Sequence, residues 1–168
     1  MSETRTRNLA GVVGGVAAAL LLTLIPREES GGRKYLKVYL DIVGVATVCD
    51  GLTRDERGRP FRPGQSFTEA QCSAMLDREL TATAEKVMAC TPALKDHPYQ
   101  TVAAVSLAYN IGTAGYCRSG VDRAFDAGRW RQGCDAVLLW NRAGGRVIKG
   151  LADRRRRERA ICLTDLPR

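Results

Sequence analysis

Six cysteines, Cys49, Cys72, Cys90, Cys117, Cys134 and Cys162, are spread through a chain of 168 residues, with no Cys-x-x-Cys pair among them. Zinc centres draw their ligands in close pairs, and the only histidine is His97, so no bound metal is expected. An even count, absent from the apolar stretch near the N-terminus, reads as three disulfides. Six small buried thiols are the competing reading, uncommon at this density. Disulfides require an oxidising compartment, which places the cysteine-bearing part of the chain outside the cytoplasm.

An apolar share of 45% and this length suit one folded domain with a sizeable core plus an appendage. The formal charge of +8 favours a polyanionic partner. Basic residues are scattered except for Arg154-Arg155-Arg156-Arg157, which reads as a solvated helix face paired with Glu158. An acidic cell-wall polymer or an anionic membrane surface explains the same charge, and without a motif for it nucleic acid is not an expected partner. Leu9 to Ile25, LAGVVGGVAAALLLTLI, carries no charge and lies at the lower edge of what spans a bilayer. A cleaved signal peptide would need a better site than Ile25-Pro26-Arg27, and the glycines count against a core helix. The expectation is a weak signal-anchor segment over residues 1–25 and one domain over 26–168.

Glu28 to Thr53 carries the candidate chemistry. Tyr39 to Thr47 reads as two short strands around a Gly44 turn, with Asp41 on one arm, Thr47 on the other and Glu28-Glu29 just upstream. Two carboxylates and a hydroxyl converging on a cleft are the parts of a glycosidase, one acid to protonate the leaving oxygen and one base for water. An Asp before a turn is more often a turn former, and a strand Thr a β-propensity choice. Further on, Thr68 and Gln71 form a capping box before a helix to about Ala89. His97 reads as a surface loop residue, and Tyr99 to Tyr109 as a helix buried on nearly every side. Helices follow over Gly120–Phe125, Trp130–Trp140 and Lys149–Cys162, with a Gly-rich turn at Asn141–Gly145. Cys49 ends the hairpin and Cys72 opens the next helix, while Cys134 and Cys162 lie on the last two helices. Of the many connectivities possible, Cys49–Cys72, Cys90–Cys117 and Cys134–Cys162 is the expected one.

Four blocks in order, YLDIVGVATVCDGLT, RPGQSFTEAQCSAML, SLAYNIGTAGYCRS and WNRAGGRVIKGL, resemble the phage-type lysozymes (glycoside hydrolase family 24). The branch they look most like is that of endolysins with an N-terminal signal-anchor, and the resemblance covers Pro26 to the C-terminus. It implies an α+β lysozyme-like fold, a small β-hairpin sheet beside a mainly helical lobe with the cleft between them. It also implies hydrolysis of the β-1,4 bond between N-acetylmuramic acid and N-acetylglucosamine in peptidoglycan, for host cell lysis, with no cofactor. The protein would act as a monomer exported to the periplasm, at first tethered to the inner membrane of a Gram-negative host. The alternative is a catalytically inactive peptidoglycan-binding relative.

In the family pattern a Glu, eight residues, an Asp, five residues and a Thr follow one another. Asp41 and Thr47 fit the second interval, whereas counting back from Asp41 lands on Gly32. With Ser30-Gly31-Gly32 as a short insertion, the resemblance makes Glu29 the general acid, Asp41 the ionised partner and Thr47 the residue that positions water. Tyr109 and Asn110 match the family's SLAYNIG block and are candidate substrate contacts. Leu52 stands where many relatives place a His.

Overall fold

The computed structural model describes residues 7–166, so Arg5, one of the basic residues ahead of the apolar run, lies outside them. The run itself folds as two helices, α1 (Leu9–Val13) and α2 (Gly15–Ser30), parted at Gly14. Leu9, Ala17, Ala18, Leu21, Leu24 and Ile25 are buried, whereas Val16 and Leu22 are exposed. The run therefore has a packed side, and no helix among the described residues is long and apolar enough to cross a membrane. In the folded chain this stretch serves as packed helix, which its composition alone did not favour.

Glycine ends α2. Gly31 and Gly32 have φ of 62° and 79°, and their N–H groups turn back to Arg27 O and Pro26 O, both at 3.1 Å. Residues with a Cβ resist this region, so the helix stops here. Glu29 is left on the last turn.

The chain packs as two units, Leu22–Leu80 and the residues on either side of it. Within Leu22–Leu80, β1 (Tyr35–Leu40) pairs antiparallel with β2 (Ala46–Cys49), setting Tyr39 opposite Thr47 and Leu40 opposite Ala46. Val38, Val48, Cys49, Leu52, Phe61 and Cys72 form its core, with Phe67 and Met75 packed against them. α3 (Glu69–Cys90) opens on the expected capping box: Gln71 N donates to Thr68 Oγ1 at 3.1 Å and Thr68 N to Gln71 Oε1 at 2.8 Å. The Cys49–Cys72 disulfide ties the end of β2 to this helix start.

In the other unit α4 (Pro98–Ile111) is buried from Gln100 to Ala108, as its apolar sequence requires. α5 (Thr113–Tyr116) follows, then α6 (Gly120–Asp126), capped by Ser119 Oγ, which accepts from Asp122 N at 3.1 Å. α7 (Trp130–Ala136) lies so close to α6 that a Cβ on Gly133 would sit 2.4 Å from two ring carbons of Phe125. His97 rests its ring 4.3 Å from that of Trp130. The Gly-rich turn read at Asn141–Gly145 lies within a second small hairpin, β3 (Arg142–Ala143) with β4 (Arg146–Val147). The remaining bridges, Cys90–Cys117 and Cys134–Cys162, lie inside this unit.

α8 (Lys149–Cys162) corrects the solvated-face reading of the arginine run. Arg154 and Arg155 are 4% and 0% exposed, and Glu158 is 0% exposed between them. Glu158 Oε1 accepts from Ser106 Oγ of α4 at 2.5 Å and from Arg154 Nε at 3.0 Å, and Arg155 Nε lies 3.1 Å from Oε2. Two guanidiniums can be buried here because one carboxylate serves both. With two short hairpins among helices, the architecture is α+β.

Candidate active site

The hairpin sets two of the candidate residues. Asp41 N donates to Val45 O at 2.9 Å, so the β1–β2 pairing runs on into the turn. Alternation then puts Tyr39, Asp41, Val45 and Thr47 on one face, with Asp41 and Thr47 diagonal neighbours roughly 7 Å apart. Asp41 Oδ1 accepts from Val43 N at 2.9 Å and Val45 N at 2.8 Å. The turn-former role is thus real and occupies one oxygen; Oδ2 takes no part in those bonds. Thr47 is 5% exposed, and its Oγ1 donates to Val45 O at 3.0 Å. With its only proton spent there, the hydroxyl can only accept from another group. A water giving one hydrogen to Asp41 and one to Thr47 would be left with a lone pair free to attack.

Glu29, half-buried on α2, is seated against the turn that follows β2. A Cβ on Gly51 would lie 3.4 Å from Glu29 Cβ and 3.5 Å from its Oε2. Gly51 also has φ +87°, so both space and backbone favour glycine at this contact. Ser30–Gly32, which follows Glu29, holds the helix stop. Glu28 is half-buried too, but the Gly51 contact belongs to Glu29.

Sequence reasoning missed Asp50. Its side chain is 0% exposed, its Oδ1 lies 3.3 Å from Ser30 Oγ, and its Oδ2 has no hydrogen-bond partner. Burial pushes its carboxyl above the usual aspartate range, against the opposing pull of the Lys34 charge. The available signal was an acid directly after the apolar run that ends β2. Leu52 is 5% exposed and belongs to the apolar core.

Glu29, Asp41 and Thr47 all belong to the Leu22–Leu80 unit, whereas Tyr109 and Asn110 end α4 in the other. Asn110 is exposed, and its Oδ1 accepts from Arg155 Nη2 at 2.8 Å; Tyr109 is half-buried. A groove of about 570 Å³ lies elsewhere, over Phe61, Phe67 and Met75, and contains none of the candidate residues. Among the described residues no cluster of His, Cys, Asp or Glu is placed to hold a metal ion.

The phage lysozyme family profile matches residues 29–158. The SAR-endolysin of bacteriophage PS119 is 37% identical over 164 residues, covering 95% of this chain and 93% of its own. That of Enterobacteria phage P21 is 36% identical over 169 residues, covering 97% and 98%. Among solved structures, a P22 lysozyme mutant superposes with a TM-score of 0.73 at 31% identity, over 86% of this chain and 95% of that one. The matched span runs from Glu29 to Glu158 and takes in the hairpin, the Gly51 turn and the buried arginine pair, so the chain belongs to the phage lysozyme family.

Proposed function

We propose that this endolysin, a muramidase acting in host lysis, cleaves peptidoglycan with Glu29 as general acid and with Asp41 and Thr47 holding the attacking water. Glu29 protonates the glycosidic oxygen as the bond breaks. The Asp41 carboxylate stabilises the oxocarbenium-like transition state and takes one proton from the attacking water, while Thr47 Oγ1 accepts a hydrogen bond from the water's other hydrogen and fixes its direction. A carboxyl separation of roughly 6.5–9.5 Å would give inversion. The observation that carries this reading is the shared hairpin face of Asp41 and Thr47, with Glu29 seated on Gly51 four residues beyond Thr47. Muropeptide analysis of digested peptidoglycan tests the bond, since new reducing ends on N-acetylmuramic acid name it. Glu29→Gln should lower turnover about a hundredfold or more, while Glu28→Gln keeps it. The opposite pattern would make Glu28 the acid.

The N-terminal segment extends the proposal to location. Residues 1–25 first tether the exported chain to the inner membrane, with the catalytic part, residues 26–168, in the periplasm. Only Pro26, Arg27 and Glu28 separate Ile25 from Glu29, so a tethered chain keeps its acid at the bilayer surface, away from Gly51. Collapse of the membrane potential releases the segment, which then packs as α1 and α2 and seats Glu29. With seven Gly and Ala among its seventeen residues, the run buries less apolar area than a Leu-rich span, which lowers the cost of that exit. Fractionation before and after an uncoupler tests this: the chain should move from membrane to soluble periplasm as lysis begins. A chain still wholly in the membrane during lysis would refute it.

A further inference from the structure

Asp50 is a buried acid beside the site that the mechanism leaves unused. Its neighbours define what it can do. Ser30 Oγ lies 2.9 Å from Pro26 O and 3.3 Å from Asp50 Oδ1. A carbonyl can only accept, so the single serine hydrogen goes to the shorter contact with Pro26. The Asp50 contact then lacks a hydrogen unless the carboxyl brings its own. Asp50 Oδ2 is buried with no partner, a costly position for a charge and a cheaper one for a neutral acid. Both features ask for the same protonation state.

We infer that Asp50 is a positioning residue, kept as the neutral acid, whose O–H donates to Ser30 Oγ and fastens the last turn of α2 to the turn that receives Glu29. The link brackets the proposed acid, because Ser30 follows Glu29 and Asp50 precedes the Gly51 on which Glu29 rests. Neutrality has a second effect. Glu29 becomes negative when it gives up its proton, and a second negative charge beside it would oppose that step. Lys34, on the link to β1, is the charge that acts on Asp50, and it donates to Ser73 Oγ of α3 at 2.9 Å; Glu29 of α2 lies against Gly51, the next residue. Burial raises the Asp50 carboxyl in the direction the role demands. The inference rests on Glu29 as the acid for its effect on turnover, though not for the protonation state itself.

The test uses the full chain labelled with ¹³C at aspartate carboxyls, with Asp50→Asn to identify the resonance. Asp50 should titrate above the exposed aspartates, in the parent and in a Glu29→Gln background alike. On purified peptidoglycan Asp50→Asn, which keeps a donor and cannot ionise, should hold turnover within about twofold and carry activity to higher pH than the parent. Asp50→Ala and Ser30→Ala should lower kcat about tenfold to a hundredfold with KM little changed. Titration together with the exposed aspartates, or an Asp50→Asn variant as slow as Asp50→Ala, would overturn the inference. Full activity of Glu29→Gln would instead sink the acid assignment and leave the Asp50 titration standing.

Discussion

Glu158 is where removing one atom's charge should cost most. In Glu158→Gln the amide oxygen can still accept from Ser106 and Arg154, but the amide NH2 replaces Oε2 and turns a donor toward Arg155 Nε. What goes is the negative charge shared by two guanidiniums that are 4% and 0% exposed. Breaking a buried ion pair from one side typically costs about 3–5 kcal/mol, because a charge is left uncompensated. For a chain of this size each kcal/mol moves Tm by about 2–4 °C, so the expected fall is on the order of 10 °C. Circular dichroism melts at neutral pH read it directly. Adding Arg155→Met to Glu158→Gln should recover part of the loss, since one stranded charge leaves with the glutamate. Arg155 also donates to Asn110 Oδ1, so any effect of the double variant on KM reports the candidate substrate contact separately. A Glu158→Gln protein melting within about 2 °C of the parent would show that water already compensates the two arginines, and the burial reasoning would fail.

Replacing Cys49 and Cys72 by Ala opens a loop of sequence separation 23 and should cost about 3 kcal/mol, read by urea unfolding. Cys49 has φ +57°, so the freed turn should also relax and lower lytic activity through Gly51 and Glu29. Gly11, Gly14 and Gly15 changed together to Leu should lengthen the apolar span and strain the break at Gly14, whose φ of 83° and ψ of 159° cost other residues about 1–3 kcal/mol; membrane retention and delayed lysis are expected. Asp50 gives a pH signature in stability. Its folded pKa is raised, so its favourable contribution is fully present below the unfolded value and is lost as pH rises through the folded one. Asp50→Asn should therefore match the parent near about pH 4 and melt progressively higher than it above the ordinary aspartate range.

Much of this was legible in local pattern. The β1–β2 arms follow from β-branched and aromatic residues around Gly44, and both capping-box bonds at Thr68 and Gln71 follow from residue type at fixed spacing. The buried α4 was visible because an all-apolar helix has no face to give to water. That Gly31-Gly32 ends the helix carrying Glu29 needed the backbone, because the sequence showed only two glycines after an acid. Arg154 and Arg155 were misread because a charge run looks solvated until its partner is seen, and Ser106, the third member of that network, lies 52 residues from Glu158. Residues 142–147 held a signal that went unused, since Gly144-Gly145 between Ala143 and Arg146 is a two-residue hairpin turn. Asp50 was overlooked because nothing local says whether an acid at a strand exit faces water or a helix end.

The disulfides close independently of one another and of the N-terminal helices. Their loops, 49–72, 90–117 and 134–162, follow one another along the chain without overlap, and residues 1–48 contain no cysteine. Each loop can close as soon as its own short segment meets an oxidant, in any sequence, with no waiting for distant partners. No cross-link reaches α2. All three bridges can therefore close without the helix that carries Glu29, and seating that helix needs no thiol chemistry of its own.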